Sequence, residues 1–267
     1  MAEGAAGVKS AVRVLDVLEF FARTVEPATL TQLCAELGMP KSSGHALMET
    51  LRQQGYVYWL GKQHGYYPTR RWHDQGEAII RHDPILAMVS EALHGISGET
   101  DETAILAKRE ENHVLYLEVV EPDRTLRFSA YAGQIKPMHS AASGRALLAL
   151  IGSEARNRVL QQLELAAYSD RTVTDIDRLK QVIQDGEAAG YHVAIGEYQS
   201  DTTAISAGFR FGTECYALVV GGPTQRLDGH IDRIGRMLAA RARQLGNPAD
   251  GHEPYRHGRP PAPRSPH

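Results

Sequence analysis

Thr29-Leu-Thr-Gln-Leu-Cys-Ala-Glu-Leu-Gly-Met-Pro-Lys-Ser-Ser-Gly-His-Ala-Leu-Met-Glu-Thr-Leu51 is the stretch on which the fold of this chain turns. Thr29 stands three residues before Gln32, the spacing of a capping box, and Leu33 and Leu37 follow at helical intervals. Gly38 can adopt the left-handed conformation that closes a helix. Pro40 suits the first turn of the next helix, whose apolar side reads Ala46, Leu47 and Leu51 with Met48 beside them, and Gly55 stops it. The two helices are separated by about three residues, the length of a helix-turn-helix connection. Upstream, residues 8–23 place Val8, Val12, Leu15, Leu18 and Ala22 at helical spacing, with Lys9, Arg13, Asp16 and Glu19 on the other side. Downstream, Tyr56-Val-Tyr-Trp-Leu60 and Tyr66-Tyr67 flank Gly61-Lys-Gln-His-Gly65, a hairpin signal with glycine at both ends of the turn. Three helices and a hairpin make a winged helix-turn-helix.

The competing reading of this segment is a small helical bundle that only packs or dimerises. Residue identities favour DNA, because the third helix opens Lys41-Ser42-Ser43-Gly44-His45, small hydrogen-bonding residues at the end that would enter a major groove. From Lys41 to Arg71 there are five Lys/Arg residues and one acid, Glu49. Lys41, Ser42 and Ser43 are candidates to hold phosphate with the help of the helix N-terminus. His45, and Lys62 or His64 on the wing, could reach further, and Lys9 and Arg13 of the first helix complete the candidate DNA-binding set. For His45 the alternative is a solvated histidine on the helix face.

The whole chain has 267 residues, with 29 Lys+Arg against 32 Asp+Glu, a net charge of −3 and 42% apolar residues, which is ordinary globular arithmetic with room for two domains. The net charge gives no global attraction to nucleic acid, so any DNA contact must be local. Cys34 and Cys215 are too few and too far apart for a disulfide scaffold, which points to a reducing compartment and the cytoplasm. No apolar run reaches the length of a bilayer span, and Met1-Ala2-Glu3-Gly4 lacks the features of a signal peptide, so no membrane partner is expected. The texture divides the chain at 1–68 for the winged helix-turn-helix, 69–83 for a linker helix, and 84–246 for a second domain. Residues 247–267 hold six of the 13 prolines and read as a disordered tail.

In the second domain Thr103-Ala-Ile-Leu-Ala-Lys108 and His113-Val-Leu-Tyr-Leu-Glu-Val-Val120 read as two strands joined by the polar turn Arg109-Glu-Glu-Asn112. Arg127-Phe-Ser-Ala-Tyr131 reads as a third strand, and residues 140–150 as a helix whose small first residues leave backbone N–H groups open to an anion. Residues 175–189 read as a helix stopped by Gly190. Tyr191-His-Val-Ala-Ile195, Ala204-Ile-Ser-Ala-Gly-Phe209 and Cys215-Tyr-Ala-Leu-Val-Val220 read as strands, and residues 225–245 as one long final helix. The expected class is α+β, with a mixed, mostly antiparallel sheet flanked by helices.

These residues in this order resemble the IclR family of bacterial transcriptional regulators. The likeness runs over residues 8–245. It rests on Val8-Lys-Ser-Ala-Val-Arg-Val-Leu-Asp-Val-Leu-Glu19, Leu37-Gly-Met-Pro-Lys-Ser-Ser43, Glu49-Thr-Leu51 and Gly55-Tyr-Val57. Further on it rests on Gly98-Glu-Thr100, Val114-Leu-Tyr-Leu-Glu118, Pro137-Met-His-Ser140, Gly144-Arg-Ala-Leu-Leu-Ala149 and Gly222-Pro223. The resemblance implies a DNA-binding domain, a linker helix, a GAF-like effector domain that binds a small metabolite, and homodimers or dimers of dimers. It places the effector at Met138, His139, Ser140, Ala141 and Ala142, at Asp201 to Ala204, and at Val219 and Gly221. Many members that take small 2-oxo acids carry a cysteine where this chain has Ala204 and serines where it has Val219 and Gly221. With those donors absent and Phe128, Tyr131 and Phe209 close by in sequence, a larger, more apolar ligand is expected, an aromatic acid or a derivative; the alternative is that the aromatics are ordinary sheet core.

Two other classes compete with this reading. A hydrolase would use Ser140 or Ser143 with His139, yet Ala-Ala-Ser-Gly-Arg lacks the first glycine of a nucleophile elbow and no acid is in place to orient the histidine. No metal or phosphate-loop motif is present, so neither cofactor nor metal is expected. An architectural DNA protein without a ligand would leave the second domain unexplained. The expectation is therefore a regulator, a repressor rather than an activator, that binds double-stranded operator DNA under the control of a small organic effector.

Overall fold

The computed structural model describes residues 8–246, and the proline-rich tail lies outside them. The chain divides into two compact units between His82 and Asp83. The first unit contains α1 (Lys9–Thr24), α2 (Leu30–Glu36), α3 (Lys41–Gln53), a hairpin of β1 (Val57–Trp59) and β2 (Tyr66–Pro68), and α4 (Arg71–Arg81). The capping box forms as the spacing requires: Gln32 N donates to Thr29 Oγ1 and Thr29 N donates to Gln32 Oε1. Gly38 and Gly55 both take positive φ at the helix ends, 59° and 75°. The hairpin pairs Val57 with Pro68 and Trp59 with Tyr66.

α1 buries a different face from the expected one. Val17, Phe20 and Phe21 enter the core of this unit beside Leu33, Met48 and Leu51, while Val8, Val12 and Leu15 face solvent, Leu15 at 57% exposure. The helix carries two apolar stripes, and the one with the aromatic rings removes more surface from water on packing. On α3 it is Met48, not Ala46, that is fully buried.

The second unit is a three-layer stack. Its elements are α5 (Pro84–Thr100), β3 (Thr103–Glu110), β4 (His113–Val120), β5 (Ile135–Pro137), α6 (Ala142–Leu150), α7 (Ser153–Gln162), α8 (Ile176–Ala189), β6 (His192–Ile195), β7 (Thr202–Phe211), β8 (Glu214–Pro223), α9 (Thr224–Leu227) and α10 (Ile231–Gly246). The strands lie in the order β5-β4-β3-β8-β7-β6, and every neighbouring pair is antiparallel, so the expected mixed sheet is antiparallel throughout. Period-two alternation divides the core in two. Leu106, Ile205, Phe209 and Leu218 join a cluster with α5 and α10, whereas Ile105, Ala107, Ala217 and Val219 join one with α6 and α8.

Three further expectations change. Residues 127–131 are not a strand, because the Glu121 carboxylate captures the Arg127 guanidinium, the Ser129 hydroxyl and the Ala130 N–H, and the third strand forms instead at β5. The final helix is two, α9 and α10, broken where Gly229 takes a φ of 79°. The helix expected from Ser140 begins at Ala142. Helices α5 and α7 were not anticipated; α5 is nevertheless well signalled, since Asp83 caps it by accepting from Ile85 N and Leu86 N and Pro84 occupies its first turn.

Candidate functional site

The first unit presents the start of α3 to solvent. Lys41, Ser42 and His45 are exposed and Ser43 is half-buried. Pro40 stands at the N-cap and no side chain caps the helix, so the first backbone N–H groups of α3 are left to an external acceptor. Arg13 and Ser43 face one open groove between α1 and α3. Lys62 and His64 lie exposed in the turn of the hairpin, and Lys9 is exposed at the start of α1. Among the described residues, Lys9, Arg13, Lys41 and Lys62 have no carboxylate within ion-pair distance, which leaves their charge available to phosphate.

The basic count from Lys41 to Arg71 overstates this surface. Arg52 is bonded to both oxygens of Glu49, Arg70 is paired with Asp74, and Arg71 lies over the Tyr56 ring while donating to Gln54 O. Of those five, the available cations are Lys41 and Lys62. Close packing holds α3 against α2: a Cβ on Gly44 would stand 2.3 Å from Cys34 Sγ.

The second unit contains a small cleft with about 40 Å³ open to the centre of a water-sized sphere, room for a few waters. Its aromatic wall is Tyr116 of β4, Phe128 and Tyr198. Its floor is Ser140, Ala141, Ala142 and Ser143 at the start of α6, with Ala204 and Thr202 of β7 and Ala194 of β6 alongside. Ser140 Oγ and Ser143 Oγ are buried without a hydrogen-bond partner. Burial raises the Tyr116 phenol well above its ordinary pKa and lowers that of the Lys136 ammonium.

Two charged groups reach the cleft, and they differ in how they are balanced. Glu197 has both oxygens taken by the fully buried Arg145, whose Nη1 and Nη2 donate to Oε1 and Oε2. Arg145 also donates to the carbonyls of His139 and Val193, tying the start of α6 to β6. Lys136 of β5 is 6% exposed, with Nζ 4.0 Å from the Tyr198 ring centroid and 6.0 Å from that of Phe128.

The candidate effector residues are thus only partly brought together. Phe128, Ser140, Ala141, Ala142 and Ala204 line the cleft. Met138 and Val219 are buried in the adjoining core, and the Phe128 ring fills the space where a Cβ on Gly221 would be. Tyr131 is 66% exposed and Asp201 is exposed in the turn before β7, so neither lines the cleft; both belong to irregular segments whose direction no strand pattern sets. Phe209 lies in the core on the opposite face of the sheet. His139 is buried with Nε2 bonded to Ala166 O and its ring against Tyr168, and the same burial holds its pKa below the ordinary value. Neither serine hydroxyl is bonded to it, so the Ser–His pairing a hydrolase would need is not formed.

Tyr116, Lys136, Ser143, Ala194, Glu197, Tyr198 and Thr202 also line the cleft. Of these, Lys136 had a readable signal: a lone cation immediately ahead of Pro137-Met-His-Ser140.

Residues 77–247 match the family model described as the bacterial transcriptional regulator IclR C-terminal domain, and residues 10–61 match the IclR helix-turn-helix domain. The chain belongs to the IclR family. The transcriptional repressor IclR of Escherichia coli (strain K12) is 26% identical over 243 residues, covering 89% of each chain. The crystal structure of the Thermotoga maritima IclR superposes with a TM-score of 0.76 at 20% identity, covering 89% of this chain and 99% of that one. An IclR homolog from Microbacterium hydrocarbonoxydans, crystallised with 4-hydroxybenzoate, gives a TM-score of 0.68 at 25% identity, covering 88% and 98%. This IclR-family chain is accordingly a DNA-binding transcriptional regulator with an effector-binding domain, and not an enzyme. Among the described residues no helix is long and apolar enough to cross a membrane.

Proposed function

We propose that the protein is a cytoplasmic repressor whose affinity for operator DNA is changed by a small organic ligand, an aromatic acid or a derivative of one, bound in the cleft of the second unit. The observation that carries the DNA-binding half is the exposed, uncapped start of α3, with Lys41 beside three small or polar residues and no carboxylate partner among the described residues. Lys41, Ser42 and Ser43 hold phosphate, His45 reaches toward bases, Lys62 and His64 act from the hairpin, and Lys9 and Arg13 from α1. Two α3 helices of a homodimer, or of a dimer of dimers, enter major grooves about one helical turn apart. Residues 69–83 act as the linker through which ligand binding biases the pair.

The ligand class is supported by the three rings of the cleft, by the two unpaired hydroxyls in its floor, and by the relative crystallised with 4-hydroxybenzoate. A coupling of about 1–3 kcal/mol between ligand and operator is the usual scale, and it acts equally in both directions. Lys41→Ala tests the placement of the interface. It is expected to weaken operator binding at every sequence and to lower the slope of log affinity against log salt by about one unit. A slope equal to wild type would remove Lys41 from the phosphate contact.

A further inference from the structure

We propose that Lys136 reads the negative charge of the effector, so that the cleft takes an ionised aromatic carboxylate and rejects its neutral amide and alcohol analogues. This rests on the reading of the cleft as the effector site. Lys136 is almost fully buried, yet among the described residues its ammonium has no carboxylate and no hydrogen-bond acceptor, only the faces of Tyr198 and Phe128. A buried charge is ordinarily paired, because taking an isolated ion out of water is costly. Cation–π contact lessens that cost but does not cancel the charge.

The one acidic group of the cleft cannot serve as counter-ion. Both oxygens of Glu197 are held by Arg145, and Oε2 also accepts from Val173 N. The cleft therefore carries one positive charge in excess. In the same lining are two other groups in need of partners, the Oγ atoms of Ser140 and Ser143, each about 1% exposed. A carboxylate accepts from an ammonium and from hydroxyls at once, while the aromatic body of the ligand rests among Tyr116, Phe128 and Tyr198. An amide of the same shape offers one acceptor, no charge, and an NH₂ that meets Lys136 donor to donor.

The test is isothermal titration of the full-length protein with benzoate, 4-hydroxybenzoate and phenylacetate, each beside its amide. At least one acid is expected to bind wild type tenfold or more tightly than its amide. The gap is expected to fall to threefold or less in Lys136→Met and Lys136→Gln and to persist in Lys136→Arg. Equal binding of acids and amides, absence of binding by all three acids, or a gap unchanged in folded Lys136→Met or Lys136→Gln would each overturn the proposal. The wild-type comparison is decisive even if a variant fails to fold. Failure here leaves sequence-specific DNA binding, measured separately, intact, whereas loss of that binding would strike the regulator reading itself.

Discussion

Replacing Arg145 with methionine is expected to cost the second unit about 3–5 kcal/mol of stability, the scale for breaking a buried ion pair from one side. Arg145 is 1% exposed, and its guanidinium is consumed by Glu197, His139 O and Val193 O. The substitution strands the Glu197 carboxylate and two carbonyls in an interior that water does not reach. The consequences spread along the chain, because the segment around Glu197 also receives Ser169 Oγ and Thr172 Oγ at its carbonyl, and the His139 carbonyl lies just before the start of α6. Ligand affinity should fall with stability, since the cleft draws its floor from one of these segments and its lip from the other. Urea unfolding of the full chain measures the loss. The double variant Arg145→Met with Glu197→Met removes the stranded charge and is expected to recover a good part of it. A single-variant loss below about 1 kcal/mol, or a double variant no better than the single, would contradict the assignment.

The second large effect is expected at the close contact between α2 and α3. A Cβ on Gly44 would stand 2.3 Å from Cys34 Sγ, and Cys34 is itself buried in the core of the first unit. Gly44→Ala therefore forces the Cys34 side chain to turn or the helices to part, at an overpacking cost of about 1–3 kcal/mol. Because α3 is the element proposed to read DNA, operator affinity should drop, by up to about 5–150-fold if the whole cost falls on binding. Ligand binding in the second unit should be unchanged. Adding Cys34→Ala removes the obstructing sulfur, and the double variant should regain most of the lost affinity. A Gly44→Ala protein with wild-type operator affinity would show that the packing of α3 on α2 does not control recognition.

The parts of the molecule legible in the sequence are those decided by neighbours along the chain. The Thr29–Gln32 capping box, the left-handed turns at Gly38 and Gly55 and the hairpin flanked by Gly61 and Gly65 each depend on a few consecutive residues, and each forms. What depended on distant partners was not legible. Arg145 and Glu197 lie 52 residues apart, and the clash waiting at Gly44 depends on how two helices meet. The buried face of α1 is not legible in the sequence, because two apolar stripes compete on it and the choice is made by what lies opposite. Lys136 is hard to find in the sequence because β5 is only three residues long and pairs with β4 after an irregular segment whose Arg127, Ser129 and Ala130 bond to the Glu121 carboxylate. Tyr131 and Asp201 lie near the site in sequence, which says little about direction in segments without a regular period.

Whether this chain reads a particular DNA sequence through α3 is decided by fluorescence-anisotropy titration of the full-length protein. One duplex carries a sequence selected by the protein from random DNA and the other a scrambled version of equal length, across a range of salt. Binding to the selected duplex is expected to be about a thousandfold tighter than to the scrambled one. Equal affinity for both duplexes at every salt concentration would contradict the account.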